Sequence, residues 1–530
     1  MKYNFAKSTR RSHAYLIAPA VALIVVLAQS SFHQSQVAAQ SNCAALANEV
    51  KSLEAERASL QKDLQKAAGS GEKQGLIQQI KQINAQIQQK QQQLNKCDQA
   101  GESQCSEANE PSTSAGDATI CDSTQCVKLS QIVKNIHDQL NGHVVGYSFF
   151  IASYSPRLLS AGRLMEQPRE QSQAVLSNSG NLSRLMETSG KVGACGYART
   201  VADGTPRMFT PKTRITVASV SKMVTAIAAV RILDKNNVSL DAKIGPYLPS
   251  DWSVSNYVRN IKFSQLLSHS AGIEDYGNVP PNDYNGLKNF FSQPVNRNST
   301  TTCQPSSVVQ PANAINPNAN QPNTRPCYSN YNFAIFRVLL PKVAGLPEDP
   351  NPITRPQTFA NQYVGLVQQN VFDLIGQNGV ACSPPPNSSS YAFAYNYPGT
   401  QAGQDWGDVS LICGAAGWYL SVEDIGRVLA SISAKDGRIL SATAAKDQFE
   451  IMRTERLGWD IDSNTELEKN GGWGTGAGAV STSIAVFGPV SGPRIIGVLF
   501  INSNISGGSS SGKGADTVLY NAYNGALTPK

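Results

Sequence analysis

Ser219-Val220-Ser221-Lys222 is the stretch that leaves this chain the fewest ways to fold. A short β-branched run, Arg214-Ile215-Thr216-Val217, leads into it. Met223, Ala226, Ala229 and Ile232 follow at helical spacing. The order predicts a strand-to-helix junction, with Ser219 and Lys222 at i and i+3 on one face of the first turn. A serine hydroxyl is a poor nucleophile until a base takes its proton. A lysine buried beside it can act once burial lowers its pKa. The helix N-terminus adds backbone N–H groups for a developing oxyanion. The same spacing recurs at Ser59-Leu60-Gln61-Lys62, inside a heptad run, and at Ser510-Ser511-Gly512-Lys513, inside a Gly/Ser run. Neither stands at such a junction.

The surroundings of Ser219 are more specific than the motif. Phe209-Thr210-Pro211 precedes it. Leu240-Asp241, Tyr247-Leu248-Pro249 and the run from Ile261 through Ser268-His269-Ser270-Ala271-Gly272 to Ile273 follow. Tyr328-Ser329-Asn330 comes next, continued by Tyr331-Asn332-Phe333-Ala334, and then Lys469-Asn470-Gly471-Gly472. In this order the motifs resemble the serine β-lactamase and penicillin-binding superfamily, close to class C β-lactamases, D,D-carboxypeptidases and related esterases. The resemblance spans about residues 128–525. It implies an α+β, β-lactamase-like fold, an antiparallel sheet plus a helical domain with the site between them.

By the same resemblance Ser219 is the nucleophile, and Lys222 and Tyr328 form its base and later acid. Asn330 would hold a substrate amide, and Lys469 would face a substrate carboxylate from a strand. Gly471 closes that third motif. The backbone N–H groups of Ser219 and Gly472 would make the oxyanion hole. Asn470 departs from the family's usual threonine, which bears on carboxylate recognition. His269 is expected to support a loop. Gly414-Ala415-Ala416-Gly417 and Ser421-Val422-Glu423-Asp424 also fit the family, the latter as a capping box in its own right.

The implied activity is acyl transfer through a Ser219 ester to water, on a β-lactam, a D-Ala-D-Ala-type peptide or an ester, with no metal or organic cofactor. The alternative is a catalytically inactive domain of this fold that binds cell-wall peptide or a protein partner. A third reading makes the chain an adhesin. An α/β-hydrolase fails on order. Gly508-Ser509-Ser510-Ser511-Gly512 matches G-x-S-x-G, but its histidine must follow the serine and the last one is His269.

Outside the motifs, residues 1–39 read as a signal peptide. A basic stretch ends at Arg11, thirteen largely apolar residues run from Leu16 to Ala28, and Val37-Ala38-Ala39 offers a cleavage site. The chain is therefore expected to be secreted or periplasmic, or held by the same segment as an uncleaved anchor. Its net charge of +7 falls to +3 once Lys2, Lys7, Arg10 and Arg11 are subtracted, too little to suggest nucleic acid.

Residues 40–98 predict a helical-hairpin coiled coil. Leu46, Leu53, Leu60 and Leu64 mirror Leu94, Ile87, Ile80 and Leu76 about Ser70, and the mirror also pairs Cys43 with Cys97. Spacing, docking of a partner or oligomerisation would suit it. Residues 99–127 read as a Cys-containing linker.

The ten cysteines with an export pattern predict disulfides, with Cys303–Cys327 and Cys382–Cys413 paired by proximity. Cys105, Cys121, Cys126 and Cys195 allow three pairings. Zinc is disfavoured, since no Cys-x-x-Cys occurs and only His137, His143 and His269 lie beyond the signal segment. Strand patterns in Gly146–Ile151, Ser483–Phe487 and Arg494–Asn502, with helices near 128–140 and 515–523, predict one antiparallel sheet built from both ends of the domain. Residues 163–190 and 274–326 read as insertions.

Overall fold

The computed structural model describes residues 49–50, 52–67, 69–102, 106–107, 119–154, 190–273, 284–292, 328–386, 391–443, 445–462, 466–488, 494–506 and 514–530. The expected signal segment, most of the two insertions and the Cys43–Cys97 and Cys303–Cys327 pairs lie outside these residues or their described side chains. Inside the Asn- and Pro-rich second insertion, where no regular element was expected, Tyr284–Ser292 is a helix, because Tyr284, Leu287 and Phe291 recur at helical spacing and are buried. The chain divides near residue 103 into two compact units. In the first, residues 52–66 are helical and a second helix runs over Ser70–Glu102. Lys90 pairs with Glu49, and Arg57 donates to Asn84 over 3.5 Å. Val50, Ile83 and Ile87 are buried.

The second unit is built on an antiparallel sheet. Its strands are β1 (Ser106–Glu107), β2 (Gly146–Tyr154), β3 (Gly190–Arg199), β4 (Ile461–Asp462), β5 (Glu466–Thr475), β6 (Gly478–Phe487) and β7 (Arg494–Ile501). They lie in the order β1-β3-β2-β7-β6-β5-β4, with Arg207–Met208 paired to the end of β3. β2 pairs with β7, so strands from both ends of the domain meet in mid-sheet.

Period-two alternation sorts the side chains into two cores. Tyr147, Phe149 and Ile151 of β2, with Ile495, Leu499 and Ile501 of β7, face helices α1 (Leu129–Leu140) and α4 (Ala515–Asn524). Phe150 and Ala152, with Ile496, Val498 and Phe500, face the larger core. That core holds α2 (Ser221–Lys235) and α3 (Val422–Ala434). Burial on both faces explains why β7, past Arg494, carries no polar side chain and does not alternate.

Helix α2 is buried on nearly every side, including Ser221, Lys222 and Thr225. Such a helix forms the centre of a domain rather than its edge. Helix α3 starts on the expected capping box: the Ser421 side chain accepts from Asp424 N–H, and the Asp424 carboxylate accepts from Ser421 N–H.

Largely within the segment read as a linker, Thr119–Cys121 and Gln125–Lys128 pair as a hairpin, and Gln125–Lys128 also pairs with Leu527–Pro529 from far along the chain. Cys121–Cys126 is one of the alternatives left open by the sequence, and it closes this hairpin. Cys195 is also disulfide-bonded. Cys382–Cys413 is paired as proximity predicted. Among the described residues, no helix is long and apolar enough to cross a membrane, and no cluster of His, Cys, Asp or Glu could hold a metal ion.

Candidate active site

The regular strand before Ser219 covers only Ile215–Thr216, pairing with Tyr419–Leu420. Val217 N–H then donates to the Trp418 carbonyl, and a 3-10 turn over Ala218–Val220 delivers the chain into α2. Ser219 thus sits on the turn just ahead of the α-helix instead of inside its first turn. Ala218 holds φ at +45°, a left-handed conformation that costs a non-glycine residue about 1–2 kcal/mol. This strain lies directly beside the candidate nucleophile, where the fold must aim one side chain.

The structure brings the first two motifs together. Ser219 Oγ lies 2.7 Å from Tyr328 Oη. Lys222 Nζ donates to Ser219 Oγ at 3.0 Å, to Asn330 Oδ1 at 2.8 Å and to the Ala415 carbonyl at 2.8 Å. Three oxygen acceptors match the three hydrogens of an ammonium. Lys222 is fully buried, Ser219 is half-buried and Tyr328 is 44% exposed, so the lysine supports the site from below and the tyrosine stands at its opening.

One turn along α2, Thr225 Oγ1 donates to the Gly414 carbonyl at 2.7 Å and lies 2.7 Å from Tyr363 Oη. That contact pins the loop whose next carbonyl, Ala415, accepts from Lys222. The Cys382–Cys413 disulfide ties the same loop one residue earlier.

Strand β5 supplies the third motif. A Cβ on Gly471 would come within 2.6 Å of the Val217 carbonyl oxygen, 2.6 Å of Thr482 Oγ1 and 2.9 Å of the Ser219 backbone nitrogen. Only glycine lets the strand run this close to the nucleophile turn. A Cβ on Gly472 would meet nothing nearer than the Val480 carbonyl at 4.0 Å, and Gly472 is exposed.

Lys469 is buried, with Nζ 5.2 Å from the Tyr328 ring centroid; Lys222 Nζ is 4.9 Å from the same ring. The resemblance gave Lys469 a substrate carboxylate to face. In the structure Lys469 Nζ donates to Asp460 Oδ1 at 2.5 Å, while Asp460 Oδ2 accepts from Asn470 N–H at 3.2 Å. Burial pushes the Lys469 pKa down, and Asp460 works against that shift. Asp460 was missed because it stands outside all three motifs. Its N–H, donating to the Glu468 carbonyl at 2.8 Å, ties it to β5.

His269 braces the second motif. Its Nδ1 accepts from Ser329 N–H at 3.2 Å and from Asn332 Nδ2 at 3.1 Å, and its ring lies 4.6 Å from that of Tyr328. Burial, then the charges of Lys469 and Lys222, hold its pKa well below the usual histidine range, so the ring is neutral. An unprotonated Nδ1 is what accepting these hydrogen bonds requires.

The assembled groups can take a proton from a serine, stabilise an anion beside a helix N-terminus and return the proton to a leaving group. Among solved structures, the chain is similar to a class C beta lactamase from Rhodobacter sphaeroides, at 14% identity with a TM-score of 0.47, covering 75% of this chain and 99% of that one. It is also similar to a beta-lactamase/D-alanine carboxypeptidase from Yersinia pestis complexed with citrate (15% identity, TM-score 0.45, 74% and 96% covered). A third is the octameric penicillin-binding protein homologue from Pyrococcus abyssi, at 15% identity and a TM-score of 0.46, covering 74% of this chain and 75% of that one. The family model described as Beta-lactamase matches residues 182–515, well over half of the sequence and all three motifs, and the chain belongs to that family.

Proposed function

We propose that this chain is an exported serine hydrolase that works through an acyl-enzyme on Ser219. The observation that carries the reading is Ser219 Oγ held at once by Tyr328 Oη at 2.7 Å and Lys222 Nζ at 3.0 Å. The Lys222 hydrogens are already directed at three oxygens, so the Tyr328 oxygen is the group placed to accept the serine proton. The Lys222 ammonium, 4.9 Å from the centre of its ring, carries the compensating positive charge.

Tyr328 acts as the phenolate, having given its own proton to solvent beforehand. As Ser219 Oγ attacks the acyl carbon, the serine proton passes to Tyr328 Oη, and the carbonyl oxygen becomes an oxyanion facing the N–H groups of Ser219 and Gly472. Collapse expels the leaving group, which takes the proton from Tyr328 and leaves an ester on Ser219. Water then attacks that ester, gives its proton to Tyr328, and the proton returns to Ser219 as the acid departs. Asn330, fixed by Lys222, would orient the acyl donor's amide.

Residues 128–525 would form the hydrolase domain. The unit formed by residues 40–98 would be a helical hairpin that acts as a spacer or docking arm outside the reaction. The near-equal placing of the Glu49–Lys90 and Arg57–Asn84 pairs about Ser70 supports that form. Residues 1–39 would direct export, and the substrate would be a small molecule or a peptide, including cell-wall material.

A fluorescent phosphonate or penicillin probe tests the reading: it should label the protein, and Ser219→Ala should abolish the labelling. Labelling that survives in Ser219→Ala refutes it.

A further inference from the structure

A carboxylate-bearing substrate needs a cation it can reach. Lys469 is the cation that the third motif supplies, and its ammonium is already engaged. Its side chain is 1% exposed, and Asp460 Oδ1 accepts from Nζ at 2.5 Å. The other oxygen of Asp460 accepts from Asn470 N–H on the same strand, so the carboxylate is clamped along β5 and cannot swing aside for a substrate. Asp460 N–H in turn donates to the Glu468 carbonyl at 2.8 Å, which fixes the aspartate backbone as well. The pair carries no net charge.

Lys222, the other cation here, is fully buried with its hydrogens directed at Ser219, Asn330 and Ala415. His269 is neutral. The strand position next to Lys469 is Asn470, which has no hydroxyl to offer an anion. Beyond Gly471, on the same face by strand alternation, comes Trp473, whose indole stacks on that of Trp406 with centroids 4.3 Å apart. The site wall past the glycines is therefore aromatic.

Resting on the hydrolase reading above, we infer that Asp460 is a positioning residue that neutralises Lys469 and fits the site to neutral acyl donors, esters or thioesters with an apolar leaving group, in preference to donors ending in a free carboxylate. Lys469 then serves Tyr328 instead of the substrate. The reaction is a hydrolysis: water and a thioester give a carboxylic acid and a thiol.

The test uses the full chain and two thioesters of phenylacetic acid, one with thioglycolate and one with methyl thioglycolate as the leaving group, with thiol release followed by a colorimetric reagent. The wild-type kcat/KM should favour the methyl ester by about tenfold or more. Asp460→Asn, which leaves the Lys469 charge unpaired, should move the ratio towards the acid by about tenfold, whereas Asp460→Glu should keep the wild-type ratio. A merely structural role for Asp460 would lower both rates and leave the ratio alone. Wild type preferring the acid overturns the inference without any variant, which covers the case of Asp460→Asn failing to fold. An unchanged ratio in folded Asp460→Asn overturns it too.

Phosphonate labelling of Ser219 separates the two levels. Labelling together with a preference for the acid removes the selection and leaves the hydrolase. No labelling and no turnover of either thioester removes the hydrolase reading and the selection with it.

Discussion

Replacing Gly471 by alanine isolates the closest backbone approach in the site. The new methyl would lie 2.6 Å from the Val217 carbonyl oxygen, 2.6 Å from Thr482 Oγ1 and 2.9 Å from the Ser219 nitrogen. Ordinary contacts of a carbon with such atoms begin near 3.5 Å, so strand and turn must part by roughly 0.5–1 Å. Thr482 cannot absorb the shift alone, because its Oγ1 donates to that same Val217 carbonyl at 2.9 Å. Two of the three obstructing atoms are backbone, in a turn already strained at Ala218.

The expected loss of stability is about 1–3 kcal/mol, the usual range for overpacking. The expected loss in acylation is larger in proportion. A displacement of about 1 Å between nucleophile and oxyanion donors costs on the order of a hundredfold, and loss of one donor about 10²–10³.

The assay is the second-order rate of phosphonate labelling, paired with thermal unfolding. Gly474→Ala on the same strand is the control, since its Cβ would meet nothing nearer than Ala479 Cβ at 3.4 Å. It should label within about twofold of wild type, as expected for a substitution away from such features. Gly471→Ala labelling at the wild-type rate would refute the claim that β5 and the nucleophile turn need this proximity.

Lys222→Ala should lower the acylation rate by several orders of magnitude, since base support and charge leave together; a loss under about tenfold would argue against its role. Tyr328→Phe should cut acylation by about 10²–10⁴ while barely moving the unfolding midpoint, because the exposed hydroxyl supports little packing. Reducing Cys382–Cys413, or replacing both cysteines by serine, should cost about 3 kcal/mol for a bridge spanning 31 residues, read from denaturant unfolding. Burial, followed by the charges of Asp516 and Glu466, raises the Glu468 pKa from 4.5 to about 7. A carboxyl raised in the folded state gives its stabilisation below the unfolded pKa and loses it as pH rises through the folded one. Stability relative to Glu468→Gln should therefore fall between pH 4.5 and about 7, by at most about 3 kcal/mol, and a flat difference would contradict it.

What could be read in advance was whatever depends on neighbours in the chain. The helix after Ser219, the hairpin of β6 and β7, the capping box at Ser421 and the short-range disulfide Cys382–Cys413 are local patterns, and each appears at the expected place. Groups contributed from far along the chain by backbone or by a lone side chain could not be read. Ala415 reaches Lys222 through a carbonyl, which carries no sequence signature at all. Asp460 sits in a turn that nothing marks as close to Lys469. The strands at Thr119–Cys121 and Gln125–Lys128 were hidden in a polar stretch, because strands of three and four residues are too short to show apolar alternation and one of their partners, Leu527–Pro529, comes from far along the chain.

The charged run Glu466 to Lys469 shows the limit most sharply. Four residues carrying three charges look like a solvated surface in the sequence alone. On β5 the pleat sends Lys469, Gly471 and Trp473 to one face and Glu468, Asn470 and Gly472 to the other. Both neighbouring charges are buried, and each needs its own remedy. Lys469 finds Asp460 and keeps its place beside Tyr328. Glu468 has a Ser483 hydroxyl at 3.3 Å and no described cation paired with it, so it takes up a proton more readily. The same desolvation acts on both residues, and the partner decides whether the result is an ion pair or a neutral acid. The pleat only turns Glu468 away from the site; it is buried because that side of the strand is covered there, close to Asp516 at the start of α4, whereas Gly472 further along the same face is exposed.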